Sequence, residues 1–231
     1  MSIDIFVGPS ISAHDRAGWE GLNGVRLHAP VRRGDLLALD GGRDDQVLII
    51  DGEFGQSLAV AVTEIRELAR RGTWIGGASS MGALRAVECA PLGVTRFGWV
   101  AEAYASGTVV SDAEVALIYD PETYQPLSVP LVNIRWLTGQ LAGDGALDQT
   151  DATLALAIAG RVHYRDRSRA ALAAAWSDGL AGRPCLSVLM GHTGELTHGK
   201  WDRKRLDALE ALSAVVASPD ARPRQCPGQP R

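Results

Sequence analysis

The first half of the chain alternates short apolar runs with a segment of helical periodicity. Three apolar runs predict β-strands at residues 3–7, 46–50 and 73–75, and each ends in a glycine-containing turn signal. Between the second and third runs, residues 58–71 carry apolar side chains at helical spacing, and Gly72 follows as a C-terminal glycine. Strands of this kind, joined by a helix, predict a parallel pair with a right-handed crossover.

After the third strand the pattern is helical almost throughout. Predicted helices cover residues 81–90, 99–105, 112–119, 131–141, 151–161, 167–178 and 202–217. Asp112 is the expected N-cap of its helix, and residues 185–190 fit either a strand or a buried turn. We therefore predict an α/β protein with a small, mostly parallel sheet flanked by helices, followed by a helical C-terminal region.

The same pattern divides the chain into three parts. Residues 1–130 are predicted to form an α/β core with the candidate site, and residues 131–217 a helical region that contains both lysines. Residues 218–231 are rich in proline and polar side chains, which predicts a disordered tail.

Composition and charge exclude several classes of function. With 231 residues and 46% hydrophobic positions, the chain can bury a core without disulfides or a structural metal. A net charge of −4 without a basic block argues against binding nucleic acid. The sequence has neither a long apolar stretch nor a secretory signal, so we expect a cytoplasmic protein that makes no membrane contact.

Cysteine and histidine usage gives no sign of a metal site. The three cysteines are scattered, as expected for reduced thiols in the cytoplasm. His192 and His198 lie among glycines, which indicates a surface loop rather than a pair of metal ligands. We expect no metal and no cofactor.

Residues 76–85 are the most informative segment of the chain. Around Ser80 they read Ala-x-Ser-x-Gly, one substitution away from the nucleophile elbow Gly-x-Ser-x-Gly. In such an elbow the first amides of the following helix, those of Met81 and Gly82, would face an oxyanion. An anion-binding loop or a plain tight turn would have a similar composition, and all three interpretations remain open from spacing alone.

A serine nucleophile needs a base, and the histidines are unpromising candidates. A lysine can serve when burial or a nearby cation keeps its amine neutral. Only two of the 23 basic residues are lysines, Lys200 and Lys204, four positions apart. Genome base composition explains the excess of arginine, yet arginine cannot act as a neutral base. The competing interpretation is a solvated helix start in which Lys204 pairs with Asp207.

Several ordered blocks resemble the TfuA family. The most specific is Gly-Ala-Ser-Ser-Met-Gly-Ala-Leu-Arg-Ala at residues 77–86. The others are residues 5–10, 34–36, 50–54, 64–65, 112–116 and 124–128, Glu88, and a late Lys-Arg-Leu-Asp-Ala block at residues 204–208. The resemblance is dense over residues 3–140, whereas residues 141–198 match nothing in the family.

The resemblance implies a hydrolase that accompanies a YcaO enzyme in the thioamidation of a ribosomal peptide. It would release sulfide from a thiocarboxylated sulfur-carrier protein of the ThiS type, with docking surfaces for YcaO and the carrier, and possibly for the precursor peptide. By the matching motifs, Ser80 would be the nucleophile and Lys204 the base, with Lys200 as the alternative.

Four further residues complete the expected site. Arg85 is a candidate to neutralise the anionic thiocarboxylate, although an ion pair with Glu88 would explain it equally well. Ser10, Asp51 and Ser79 follow predicted strands at one sheet edge and are candidate substrate contacts.

Two other functions fit the same chain. A non-catalytic adaptor would dock YcaO, carrier and peptide without cleaving anything. A small-molecule or nucleotide-binding α/β domain has less support, because no phosphate loop of known spacing is present.

Overall fold

The computed structural model describes residues 2–217, which contain one five-stranded parallel sheet. Its strands are β1 (Ser2–Phe6), β2 (Val25–His28), β3 (Asp45–Ile49), β4 (Trp74–Ala78) and β5 (Thr95–Phe97). The order across the sheet is β2-β1-β3-β4-β5, and every neighbouring pair is parallel. The predicted α/β class is confirmed. The predicted tail at residues 218–231 lies outside the described residues.

The α-helices of the described chain lie on both sides of this sheet and in the C-terminal region. They are α1 (Ala13–Ala17), α2 (Val62–Arg71), α3 (Met81–Glu88), α4 (Gly98–Ala105), α5 (Leu131–Gly143), α6 (Gln149–Arg161), α7 (Arg169–Gly179), α8 (Cys185–Met190) and α9 (Arg203–Ala217). Helix α2 ends as predicted, because Gly72 adopts the left-handed conformation at φ 90°.

Both edge strands were missed by the hydrophobic pattern. Strand β2 alternates apolar residues with Arg26 and His28, and β5 contains only three residues. Edge strands are solvated along one side, so they need no continuous apolar run.

Two helical-region expectations were wrong. Residues 112–119 contain only the 3₁₀ turn Asp112–Glu114, which is capped by Ser111 and not by Asp112. The chain leaves the helical path there because the Ile118 amide donates to the Ser128 hydroxyl at 2.8 Å, which closes a hairpin over residues 118–128. Residues 185–190 form helix α8, neither a strand nor a turn.

Helix α9 covers one face of the sheet. Its small or apolar residues Ala208, Ala211 and Leu212 are fully buried against the strand residues Ile5 and Leu48. Helices α2 and α3 pack on the opposite face. The last helix therefore returns to the α/β core, so the late lysine block lies beside the sheet.

Helices α5 to α8 share a separate cluster of buried side chains. Trp176 is fully buried there, and its indole nitrogen donates to the Ala155 carbonyl at 2.9 Å. This cluster extends to Trp201, two residues before the start of α9.

Candidate active site

Close packing of backbone shapes the loop between β4 and α3. A Cβ atom on Gly82 would lie 1.8 Å from the carbonyl oxygen of Ile49, and one on Gly77 would lie 2.2 Å from the carbonyl oxygen of Gly82. Both positions therefore require glycine, and α3 begins directly against the end of β3. The sequence motif is explained by this contact.

Gly82 does not supply the oxyanion donor that we expected. Its amide already donates to the Ile50 carbonyl at 3.1 Å, which fixes the start of α3 to the chain that follows β3. Met81 contributes a buried side chain to the core beneath the loop, and its amide lies in the first turn of α3. Amides of a first helical turn have no partner inside the helix, so this one is a candidate donor.

The tandem serines adopt different backbone conformations. Ser79 has φ 67°, a left-handed value that is rare for a residue with a side chain, and the Ser80 amide donates back to the Ala78 carbonyl at 2.8 Å. This is a γ-turn centred on Ser79, a strained arrangement. Ser80 is the residue immediately before α3, and its side chain caps no amide of that helix.

A buried hydrogen-bond network joins three strand-end loops. The Ser79 hydroxyl donates to the Ser10 hydroxyl at 2.8 Å, and Ser10 donates to Asp51 at 2.7 Å. The Asp51 carboxylate also accepts the amides of Gly8 and Ser10, each at 2.9 Å. Each of these side chains has at least 98% of its surface buried. The sequence placed the three residues at one edge, and the structure brings them into direct contact.

Lys204 is the buried cationic residue of this region. The side chain is 1% exposed, and its amine donates to the Val115 carbonyl at 2.9 Å. Burial lowers the pKa of Lys204, while the carboxylates of Asp51 and Asp202 act in the opposite direction. The desolvation effect is the larger, so the neutral amine is favoured relative to a lysine in water.

The start of α9 is held in place by a second network. Asp202 caps the helix by accepting the Arg205 amide at 3.0 Å, and it also accepts the side-chain amide of Asn133 at 2.8 Å. Asn133 in turn accepts the Lys204 amide at 3.2 Å. Arg205 makes a bidentate pair with Asp15, at 2.7 and 2.6 Å. These contacts fix the position from which the Lys204 side chain enters the core.

Asp207 serves a neighbouring helix and does not pair with Lys204. It accepts the amides of Trp99 at 3.0 Å and Val100 at 2.7 Å, which caps α4, and it forms an ion pair with Arg203. Burial raises the pKa of Asp207 to about 6, against the opposing effects of Arg203 and the two amides. The solvated-helix alternative for Lys204 is therefore wrong.

Lys200 and Arg85, the two other cationic residues predicted for the site, do not contact the strand-end network. Lys200 is exposed, and its amine lies 4.5 Å from the centre of the Trp201 ring. Arg85 donates to the Val60 carbonyl at 2.9 Å and pairs with Glu88. Both side chains have partners away from the strand-end network, so Lys200 is a poor candidate for a base and Arg85 for a substrate contact.

Four residues near the site were not among the predicted site residues. Val115 provides the carbonyl that Lys204 meets. The ring nitrogen of His198 lies 3.0 Å from the Pro9 carbonyl, beside the Ser10 loop, and Tyr119 donates to Glu53 at 2.6 Å. Nothing in the local pattern marks His198. Val115 and Glu53 lie inside the blocks of the family resemblance at residues 112–116 and 50–54, and Tyr119 follows the block at 112–116, which was the available signal.

No metal-binding cluster of His, Cys, Asp or Glu occurs among residues 2–217. Over the same part of the chain, no helix combines the length and apolar character that crossing a bilayer requires. The candidate site is built from hydroxyl, carboxylate, amine and backbone groups alone within this range.

Fold and site together define a parallel α/β protein with a strained serine loop and a buried lysine at the carboxyl edge of its sheet. The family model for TfuA-like protein matches residues 51–168, just over half of the 231-residue chain. The match includes residues 141–168, so the expectation that residues 141–198 match nothing in the family was wrong for that part. The chain therefore belongs to the TfuA-like family, and membership suggests a role in thioamidation with a YcaO partner. No curated protein matches the chain. Asp51 and both serines lie inside the matched range, whereas Ser10 and Lys204 lie outside it.

Proposed function

We propose that the protein is a hydrolase that releases sulfide from the C-terminal thiocarboxylate of a ThiS-like sulfur-carrier protein. The sulfide would supply a YcaO enzyme for backbone thioamidation of a ribosomal peptide. In this proposal Ser80 is the nucleophile and Lys204 the base.

The observation that carries the proposal is the burial of the Lys204 amine next to the strand-end network. A neutral amine has two N–H groups and one lone pair. One N–H is used by the Val115 carbonyl, which leaves the lone pair for a serine proton. Asp51 acts electrostatically on this amine and is linked through Ser10 to Ser79, the residue before Ser80.

Ser80 is the better nucleophile of the two serines. Ser79 donates its hydroxyl to Ser10, whereas the Ser80 hydroxyl caps no amide of α3; both side chains are buried. The Ser80 and Lys204 side chains make no direct hydrogen bond in the structure of residues 2–217. Proton transfer between them therefore uses one water or a small shift on substrate binding, as is common before a substrate arrives.

The chemistry proceeds through an acyl-enzyme. Lys204 takes the Ser80 proton as the hydroxyl oxygen attacks the thiocarboxylate carbon, and the Met81 amide stabilises the oxyanion. Lys204 then returns that proton to the sulfur, the C–S bond breaks and hydrosulfide leaves. Water, deprotonated by Lys204, cleaves the ester and gives a carboxylate and free Ser80. The net reaction consumes one water and forms carboxylate and hydrogen sulfide.

The test is sulfide release from thiocarboxylated carrier by the purified protein in the absence of YcaO. We expect Ser80→Ala and Lys204→Met each to lower the rate by about 100-fold or more, the scale of a lost acid–base catalyst. Lys200→Met is the matched control and should keep the wild-type rate.

Two outcomes would contradict the proposal. Full activity in the Ser80 or Lys204 variant would remove that residue from the mechanism. If the wild-type protein releases no sulfide, yet YcaO-dependent thioamidation requires it and tolerates Ser80→Ala, the protein is an adaptor.

A further inference from the structure

The network of Ser79, Ser10 and Asp51 raises a question that the proposed hydrolysis leaves open. All three were expected to touch substrate, but each side chain is almost completely buried and bonded to the others. Their polar atoms are bonded to one another, so in this state they are not free to contact a carrier tail. The network must act on its neighbours.

We propose that Ser10 and Asp51 are positioning residues: they hold the strained turn at Ser79, which directs Ser80, and they place a fixed carboxylate opposite Lys204. The proposal rests on the hydrolase function above. It assigns two tasks to a single network, one geometric and one electrostatic.

The geometric task follows from the conformation of Ser79. A γ-turn whose central residue has a positive φ is unfavourable for a residue other than glycine, and it persists only where surrounding contacts impose it. The Ser79 hydroxyl donates to Ser10, and Ser10 is itself fixed through both its hydroxyl and its amide to Asp51. Because Ser80 follows this turn directly, loss of the anchor would change the direction of its hydroxyl.

The electrostatic task follows from the groups around Lys204. Asp51 and Lys204 are both buried, and the loop that Asp51 holds through the Gly8 and Ser10 amides contacts His198 through the Pro9 carbonyl. Two carboxylates therefore act on the Lys204 amine: Asp51 from the loop after β3, and Asp202 from the start of α9. Asp202 is occupied by the His198 and Arg205 amides and by Asn133. Asp51 is the carboxylate that connects with the serine loop. It should therefore favour the protonated amine that donates to the leaving sulfur.

Asp51→Asn removes the negative charge of this side chain and keeps its shape. The asparagine side chain keeps polar atoms for the Gly8 and Ser10 contacts, since a hydroxyl can reverse its donor direction. Removal of the charge should lower the pKa of Lys204. In a plot of kcat against pH, the acidic limb should move to lower pH by the same amount, because Lys204 must be neutral to act as the base. A purely structural role would leave this limb in place.

Lys204 can be titrated directly because the chain contains two lysines. In protein labelled with ¹³C at lysine Cε, NMR should resolve one signal from Lys204 and one from Lys200. The Lys200 signal is the internal control and should titrate identically in both proteins. An unchanged Lys204 titration in Asp51→Asn would overturn the electrostatic task.

Paired substitutions at Ser79 test the geometric task. Ser79→Gly removes the hydroxyl but accepts the left-handed backbone, whereas Ser79→Ala removes the hydroxyl and retains the strain. We expect the glycine variant to be more active than the alanine variant, by about tenfold in kcat with KM unchanged. Ser10→Ala should also lower kcat and leave the Lys204 titration unaltered.

Two results would overturn the geometric task. Equal and complete inactivation of both Ser79 variants would identify Ser79 as the nucleophile itself. Wild-type activity in both variants and in Ser10→Ala would leave the network no positioning role. Failure of the hydrolase proposal would give a different result from failure of this inference. The wild-type protein would then release no sulfide, while the NMR titration of Lys204 would still show whether Asp51 acts on its amine.

Discussion

The side-chain amine of Lys204 donates a hydrogen bond of 2.9 Å to the backbone carbonyl of Val115, in the interior of the protein, where the side chain is 1% exposed. One carbonyl is poor compensation for the hydration that a lysine loses on burial. The position is therefore unfavourable for stability, which is typical of residues kept for function.

We predict that Lys204→Met stabilises the protein. At neutral pH the gain should be roughly 1 kcal/mol or more, the scale seen when a buried charge is replaced by an apolar side chain of similar volume. Urea unfolding of both proteins across a range of pH would measure it. Lys200→Met, at an exposed position, should change the free energy of unfolding by less than about 0.5 kcal/mol.

The stabilisation should depend on pH with a definite sign. The pKa of Lys204 is lowered from its ordinary 10.5 in the folded state, so the unfolded chain binds the proton more tightly. As pH falls from 10.5, wild type loses stability relative to the methionine variant until the folded amine is also protonated. A difference that shrinks on acidification from pH 10.5 would contradict the lowered pKa.

We also predict that the two lysines react at different rates with an amine-directed reagent. Lys200 is exposed, while Lys204 is 1% exposed and favours its neutral form only inside the core. Mass spectrometry of protein treated briefly under native conditions should find modification at Lys200 and none at Lys204. In urea both should react, and early labelling of Lys204 would show that its amine is open to solvent.

Gly82→Ala should be among the most disruptive single substitutions in the core. Its Cβ would lie 1.8 Å from the Ile49 carbonyl oxygen, so backbone must move, at a cost of about 3 kcal/mol or more. Gly139→Ala is the matched control. That glycine lies exposed within α5 with open space around it, so alanine should stabilise by about 0.5–1 kcal/mol. Thermal unfolding would compare both variants, and equal effects would contradict the close contact.

The sequence predicted the central strands because each is buried on both faces and is therefore continuously apolar. It missed β2 and β5 because edge strands have no such requirement. The hairpin at residues 118–128 was also missed, because it depends on a contact between Ile118 and Ser128 that a local helical pattern cannot reveal.

The sequence likewise predicted one part of the candidate site and missed another. Strand ends predicted that Ser10, Asp51 and Ser79 share one edge, because parallel strands end together. Burial of Lys204, exposure of Lys200 and the use of the Gly82 amide by Ile50 depend on how α9 and α3 pack. No local spacing rule contains that information.

The ion pair between Asp15 and Arg205 ties α9 to α1. The hydrogen bonds from Arg205 hold the pKa of Asp15 well below its usual 3.8. Asp15→Asn should therefore destabilise the protein by roughly 1–2 kcal/mol at neutral pH, as expected for a bidentate, largely buried pair. The pair contributes above pH 3.8, and its contribution is lost as pH falls through the lowered folded pKa. Urea unfolding at pH 7 and in steps below pH 4 should show the difference in unfolding free energy between wild type and variant closing on acidification.

Glu67→Gln, which breaks an exposed pair with Arg70, should leave stability unchanged, and an equal effect at both positions would argue against a special role for Asp15.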